Sequence, residues 1–173
     1  YAEHVLPPLE VEMATLVTRE LRALGVHVHA GVAAQSITHG DDHDSVTLSD
    51  GTVLDADVIV LSTGVRPDTA FAEAAGIETS RGYILVDEHG RTSVDDVYAV
   101  GDGTIGRDHD RPVALAGPAN RGGRLVADAI ADAEHGEATA RPIPSPQGTA
   151  IVRVGSLTAA MTGANRQALD ASG

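Results

Sequence analysis

The stretch RTSVDDVYAVGD, Arg91 to Asp102, decides how the rest of the chain is read. Val97, Tyr98, Ala99 and Val100 form a short apolar run between the acidic pair Asp95 and Asp96 and the glycine Gly101, the pattern of a buried parallel strand. Gly101 lets the backbone come close to a ligand, and Asp102 falls just past the strand's carboxyl end, where open α/β sheets bind their ligands. An ionised carboxylate at that point accepts a hydrogen bond from a sugar or polyol hydroxyl. Taken without its neighbours, Gly101-Asp102-Gly103 reads first as a plain turn.

Composition narrows the partners. The chain has 173 residues, with 25 acidic against 12 basic side chains and a net charge of -13, which argues against nucleic acid or an anionic membrane surface. All the cations are Arg, and there is no Cys, so neither a disulfide framework nor a thiolate metal site exists here and any redox thiol must lie elsewhere. No apolar run approaches the ~20 residues of a membrane span, and no targeting motif is visible, so a cytoplasmic protein is expected. The chain opens on Tyr1 rather than Met and stops soon after a new strand pattern begins, as expected of a segment of something longer.

Before the central stretch, Leu9, Met13, Leu16, Val17, Leu21 and Leu24 recur at helical spacing, with Gly25 closing the run. Val26 and Val28 alternate with His27 and His29, a short strand whose imidazoles fall on one face. Two such ligands fall short of a zinc site, and a solvated face is the simpler account. His39 and His43 belong to an exposed turn. Ala34 to Thr38, Ser45 to Leu48, and Val53 with Leu54 after the Asp50-Gly51 turn predict a β-meander. Val58 to Leu61 is continuously apolar and predicts a strand buried on both faces, ending in the small residues Ser62, Thr63 and Gly64. Arg66 is open to two readings, a phosphate partner or a surface residue before a proline-fixed turn.

After the central stretch, Arg107 to Arg111 is a charged surface loop. ALAGPANRGG, Ala114 to Gly123, leads into a helix with Leu125, Val126, Ala129 and Ile130 on one face. Small residues near a helix start leave its free N–H groups open to a ligand, and the dipole there favours negative charge. Close packing of the helix on a strand is the competing explanation of those glycines. RPIPSPQ, Arg141 to Gln147, is a proline-rich linker, and Gly148 to Val154 begins another strand.

Several of these motifs together resemble the FAD-dependent pyridine nucleotide-disulfide oxidoreductases. The threonine, V-Y-A and G-D of Thr92 to Asp102 resemble that family's second flavin-contacting signature, which implies that Asp102, beside Gly101, holds a ribityl hydroxyl of FAD. Ser62 to Ile77 is similar to the signature where the chain leaves the nucleotide domain, and the resemblance implies that Gly64 meets the nicotinamide nucleotide. ALAGPANRGGR is similar to the branch of coenzyme A-disulfide reductases and NADH oxidases. It implies Leu115 and Ala116 against the flavin and Ala114 near NAD(P)H, with Gly122 standing where that branch often has Gln. GTAIVRV and LTAAMTGAN are similar to the start of the dimerisation domain, from which Gly155-Ser156 departs.

The resemblance implies an incomplete Rossmann-like α/β flavoprotein. Residues 1–64 would be the back half of an NAD(P)H-binding domain, 65–140 the closing part of an FAD-binding domain, and 141–173 the linker and start of an α+β dimerisation domain. Neither Gly-rich βα turn of the family is present. The expected parent is a homodimeric FAD-dependent NAD(P)H oxidoreductase that acts on a small redox substrate, with no catalytic or metal-binding residue in this segment. A dinucleotide-binding or interaction module without turnover is the alternative.

Overall fold

The structure is a computed structural model that describes residues 2–109 and 111–172. Asp110, part of the charged loop, and the terminal Tyr1 and Gly173 lie outside the described residues. In chain order the elements are α1 (Val11–Ala23), β1 (Ala34–Thr38), β2 (Asp44–Leu48), β3 (Val53–Ala56), α2 (Ala70–Ala74), β4 (Thr79–Ser80), β5 (Tyr83–Val86), β6 (Thr104–Gly106), α3 (Ala116–His135), β7 (Ala150–Val154), β8 (Leu157–Met161) and α4 (Arg166–Ser172). They fall into two compact units, Tyr1–Thr63 with Thr149–Gly173, and Gly64–Gly148.

In the first unit, α1 buries Ala14 and Val17, with Leu9 just before it and Leu21 half-buried on the same side. The β7–β8 hairpin supplies the opposite side of this core through Ala159, Val154 and Met161. The predicted apolar stripe was too wide: Met13, Leu16 and Leu24 are exposed at 49%, 41% and 58%, because the hairpin covers only the Ala14–Val17–Leu21 side. Gly155, at φ +56, forms the hairpin turn, and a Cβ there would run into Glu20 and Leu24 of the helix region. Ser156 donates its N–H (2.7 Å) and its hydroxyl (2.8 Å) to Glu20 Oε1. Gly155 and Ser156 are thus the residues that seat the hairpin on α1. Glu10 makes no capping bond to its own helix and instead accepts the backbone N–H of Arg166 at 2.7 Å.

The meander forms as predicted, in the order β1-β2-β3 with antiparallel pairing throughout. Its second turn is set by Asp50, whose carboxylate accepts the Thr52 N–H at 2.9 Å, and by Gly51 at φ +86.

Two predicted strands of this unit do not form. Residues 26–29 and 58–61 pair with no other described residues in a ladder, and Val58, Val60 and Leu61 are exposed at 78%, 81% and 69%. A parallel strand is held by its neighbours on the sheet, so a strand-patterned segment with no neighbour beside it stays unpaired.

The second unit is built on a sheet of order β4-β5-β6, with β4 and β5 antiparallel and β5 and β6 parallel. Its core joins Ala72 of α2 to Ile84 and Val86 of β5, with Ile77 and Ala99 against them. The predicted buried strand at Val97 to Val100 is corrected. It carries a single antiparallel bridge, Arg91↔Tyr98, and Val100 is 44% exposed. The ladder lies further on, at β6, entered through a turn in which Thr104 donates its N–H (3.1 Å) and its hydroxyl (2.8 Å) to Gly101 O. Gly101-Asp102-Gly103 is therefore a turn, the reading the tripeptide gives when taken without its neighbours.

Helix α3 buries Leu125, Val126 and Ala129 and stops at Gly136, which takes the left-handed conformation at φ +69. Ile130, expected on the same face, is 40% exposed.

Candidate functional site

In the second unit the end of the extended apolar segment and the start of α3 line one cleft of about 450 Å³. Ala99, Val100 and Gly101 contribute one part of its lining and Pro118, Ala119 and Gly122 another. Glycine is required where these two parts touch: a Cβ on Gly122 would stand 2.9 Å from Val100 Cγ2. Close helix packing is therefore the physical reason for Gly122. Gly101 is at φ +99, and a Cβ there would meet nothing within 4 Å, so its glycine serves the turn.

The helix start is chemically bare. Leu115 is the N-cap and has no side chain able to cap, no acid lies in the first turn, and the first helical bond is Ala119 N–H to Leu115 O at 3.1 Å. Pro118 has no N–H to satisfy, so the open donors are those of Ala116 and Gly117. Such a terminus favours a negatively charged or acceptor-rich group.

Of the residues singled out from sequence, Gly101 lines the cleft. Asp102 follows it in the turn with an exposed side chain. Leu115 is half-buried, Ala114 and Ala116 are exposed, and all three follow Val113, which does line the cleft. Gly64 is exposed, at φ +102, where the second unit begins. Arg66 is exposed. No group of three metal-ligating side chains occurs among the described residues, so His27 and His29 are not joined by further ligands.

The sequence reading missed part of the lining. Gly106, His109 and the linker residues Ile143 to Pro146 also face the cleft. Nothing in the sequence marks them beyond the alternating prolines. Arg107, also on the lining, is held by Glu78, with 2.8 Å between Nη1 and Oε2.

The family model for pyridine nucleotide-disulphide oxidoreductases matches residues 1–133. The chain belongs to this family. A rubredoxin-NAD(+) reductase of Alcanivorax borkumensis is 41% identical over 128 residues, covering 73% of this chain and 33% of that protein. Among solved structures, a reduced CoADR-RHD of Bacillus anthracis has a TM-score of 0.88 at 32% identity and covers 99% of this chain and 30% of its own. An NAD-dependent persulfide reductase from A. fulgidus has a TM-score of 0.89 at 32% identity, over 98% of this chain and 31% of its own. The α/β architecture is thus that of the family's reductases, and the chain spans about a third of the length of the relatives it matches. No helix among the described residues is long and apolar enough to cross a membrane.

Proposed function

We propose that the chain is part of an FAD-dependent NAD(P)H oxidoreductase that passes hydride from a nicotinamide nucleotide to flavin and on to a small acceptor, a disulfide, oxygen or peroxide. One observation carries the reading: Gly101, at the end of the segment that Asp102 closes, and the first turns of α3 line the same cleft. That pairing suits a flat ring system whose polyol tail reaches an acid while its polar edge meets a helix start.

Gly101, Pro118 and Ala119 on the lining suit a flat group, and Asp102, Ala114, Leu115 and Ala116, which the lining does not include, adjoin it in sequence. FAD, when bound, would supply the two-electron acceptor that the protein's own side chains lack. Asp102 would accept a hydrogen bond from a ribityl hydroxyl. The N–H groups of Ala116 and Gly117 would stabilise negative charge on the ring edge, with Leu115 giving it an apolar neighbour. Gly64 and Ala114 are assigned to the NAD(P)H side, where small residues leave room for the nicotinamide.

On this reading residues 1–64 close an NAD(P)H-binding domain, 65–140 an FAD-binding domain, and 141–173 open the dimerisation domain of a cytoplasmic homodimer. The likeness of ALAGPANRGGR favours the branch of coenzyme A-disulfide reductases and NADH oxidases. The partner strands for residues 26–29 and 58–61 would come from the rest of the longer protein.

The test is the full-length protein's absorption spectrum under anaerobic conditions. Flavin bands that bleach on adding NADH or NADPH are expected. A colourless protein, or flavin that neither nucleotide bleaches, would leave only a binding module without turnover.

A further inference from the structure

The proline-rich segment read from sequence as a linker is fixed along the second unit at successive points. At its start, the carboxylate of Asp132 near the end of α3 accepts the N–H groups of Thr139 and Ala140, the latter at 2.6 Å, and the Thr139 hydroxyl at 3.0 Å. Further on, Ile143 donates its N–H to Glu88 O at 2.7 Å. Next, Ser145 Oγ and His109 Nε2 share a hydrogen bond of 2.8 Å. Prolines at 142, 144 and 146 stiffen the segment and remove every second donor. Of the two backbone donors left between them, at Ile143 and Ser145, the first is bonded to Glu88 O.

The His109 end of this arrangement has its own seat. His109 donates its backbone N–H to Gly106 O at 3.0 Å, closing a turn after β6. Its imidazole lies over Gly106 so closely that a Cβ at 106 would overlap the ring. Glycine at 106 therefore makes the room in which the imidazole sits and from which it reaches Ser145. Ile143, Pro144, Ser145 and Pro146, with His109 itself, line the cleft that Gly101 and α3 also line.

We infer that residues 139–146 are a strap whose stretch 143–146 forms one wall of this cleft, and that His109 is the positioning residue that latches the strap through Ser145. The inference deepens the flavin reading and rests on it in one respect, that the occupant retained by the strap is FAD. The latch touches no reacting atom. Its work is to hold a wall in place and limit the escape of what lies behind it.

The experiment uses the full-length protein as isolated, its His109→Ala, His109→Gln and Ser145→Ala variants, and two readouts. The first is amide hydrogen exchange at Ile143, which reports the strap whether or not flavin is bound. The second is the rate at which flavin fluorescence appears on dilution. His109→Ala and Ser145→Ala should each speed Ile143 exchange by up to about tenfold, the loss of one hydrogen bond. Flavin release should quicken by a similar factor. His109→Gln, whose amide still reaches a hydroxyl, should stay near the parent.

Ile143 exchange unchanged in both alanine variants, or equally fast in His109→Gln and His109→Ala, would overturn the latch. Faster exchange with an unchanged rate of flavin loss would overturn the strap as a wall of the flavin site. A parent protein that carries no flavin would refute the functional reading, while the exchange data would still decide the latch. Should His109→Ala fail to fold, Ser145→Ala, at an exposed position, decides the same question.

Discussion

Gly122 of α3 and Val100 of the extended segment meet so closely that a Cβ on residue 122 would lie 2.9 Å from Val100 Cγ2. The helix is thereby set directly against the Val100 side chain, one residue before Gly101. Gly122→Ala should cost about 1–3 kcal/mol from overpacking, offset by up to about 1 kcal/mol of better helix propensity. Val100→Ala in the same chain should recover the overpacking part, giving a coupling of about 1 kcal/mol or more in a double-mutant cycle. Additive urea midpoints would show that the contact carries no strain.

Asp102 gives the prediction most specific to the cofactor. On the proposed reading Asp102→Ala removes an acceptor for a ribityl hydroxyl, and a hydrogen bond to a charged group contributes about 1.5–3 kcal/mol. Titration of apoprotein with FAD should therefore show binding weaker by about 10- to 100-fold. Since the side chain is exposed in this chain, stability without FAD should change little. Unchanged FAD affinity would remove Asp102 from the site.

Val58, Val60, Leu61 and Val65 stand 69–88% exposed along one short segment. Bare apolar surface and unpaired extended chain promote association, so the isolated 173 residues should aggregate or bind hydrophobic dyes. In the longer protein the same segment should be covered, and Val60→Asp should abolish soluble expression. A monodisperse, cooperatively melting fragment, or a Val60→Asp protein of normal stability, would show that this segment needs no cover.

The seat of the β7–β8 hairpin on α1 should weaken in acid. The Ser156 backbone N–H and then its hydroxyl hold the Glu20 carboxyl below its usual range, against a small opposing desolvation. A carboxyl whose pKa is lower in the folded state adds stability that is fully present above its unfolded value, about 4.3. That stability is lost as the pH falls through the folded value. Amide exchange at Ser156, corrected for its intrinsic pH dependence, should quicken below about pH 4, and Glu20→Gln should flatten that response. An acid response that survives in Glu20→Gln would place its origin elsewhere.

What the sequence disclosed follows the range of the interactions. The meander was legible because its turn at Asp50-Gly51 and its alternation are local, as was the buried face of α3 at Leu125, Val126 and Ala129. The alternating stretch at 26–29 and the apolar runs at 58–61 and 97–100 read as strands, yet a ladder also depends on partner strands, and these residues find none or a single bridge. Strand β6 was hidden behind the glycines of a turn. The Glu20–Ser156 seat and the His109–Ser145 latch join residues 136 and 36 positions apart, and no local pattern announces such pairs.

The central claim is that the bare start of α3 faces the flavin, and the reduction potential of the full-length holoprotein tests it most directly. Ala116→Asp places a carboxylate beside the open N–H groups of Ala116 and Gly117, where it competes for them and disfavours added negative charge. A perturbation of about 1–2 kcal/mol at a helix terminus corresponds to a two-electron potential more negative by about 20–40 mV. That shift, with the flavin still bound, is the predicted result. A potential equal to that of the parent protein would contradict the account.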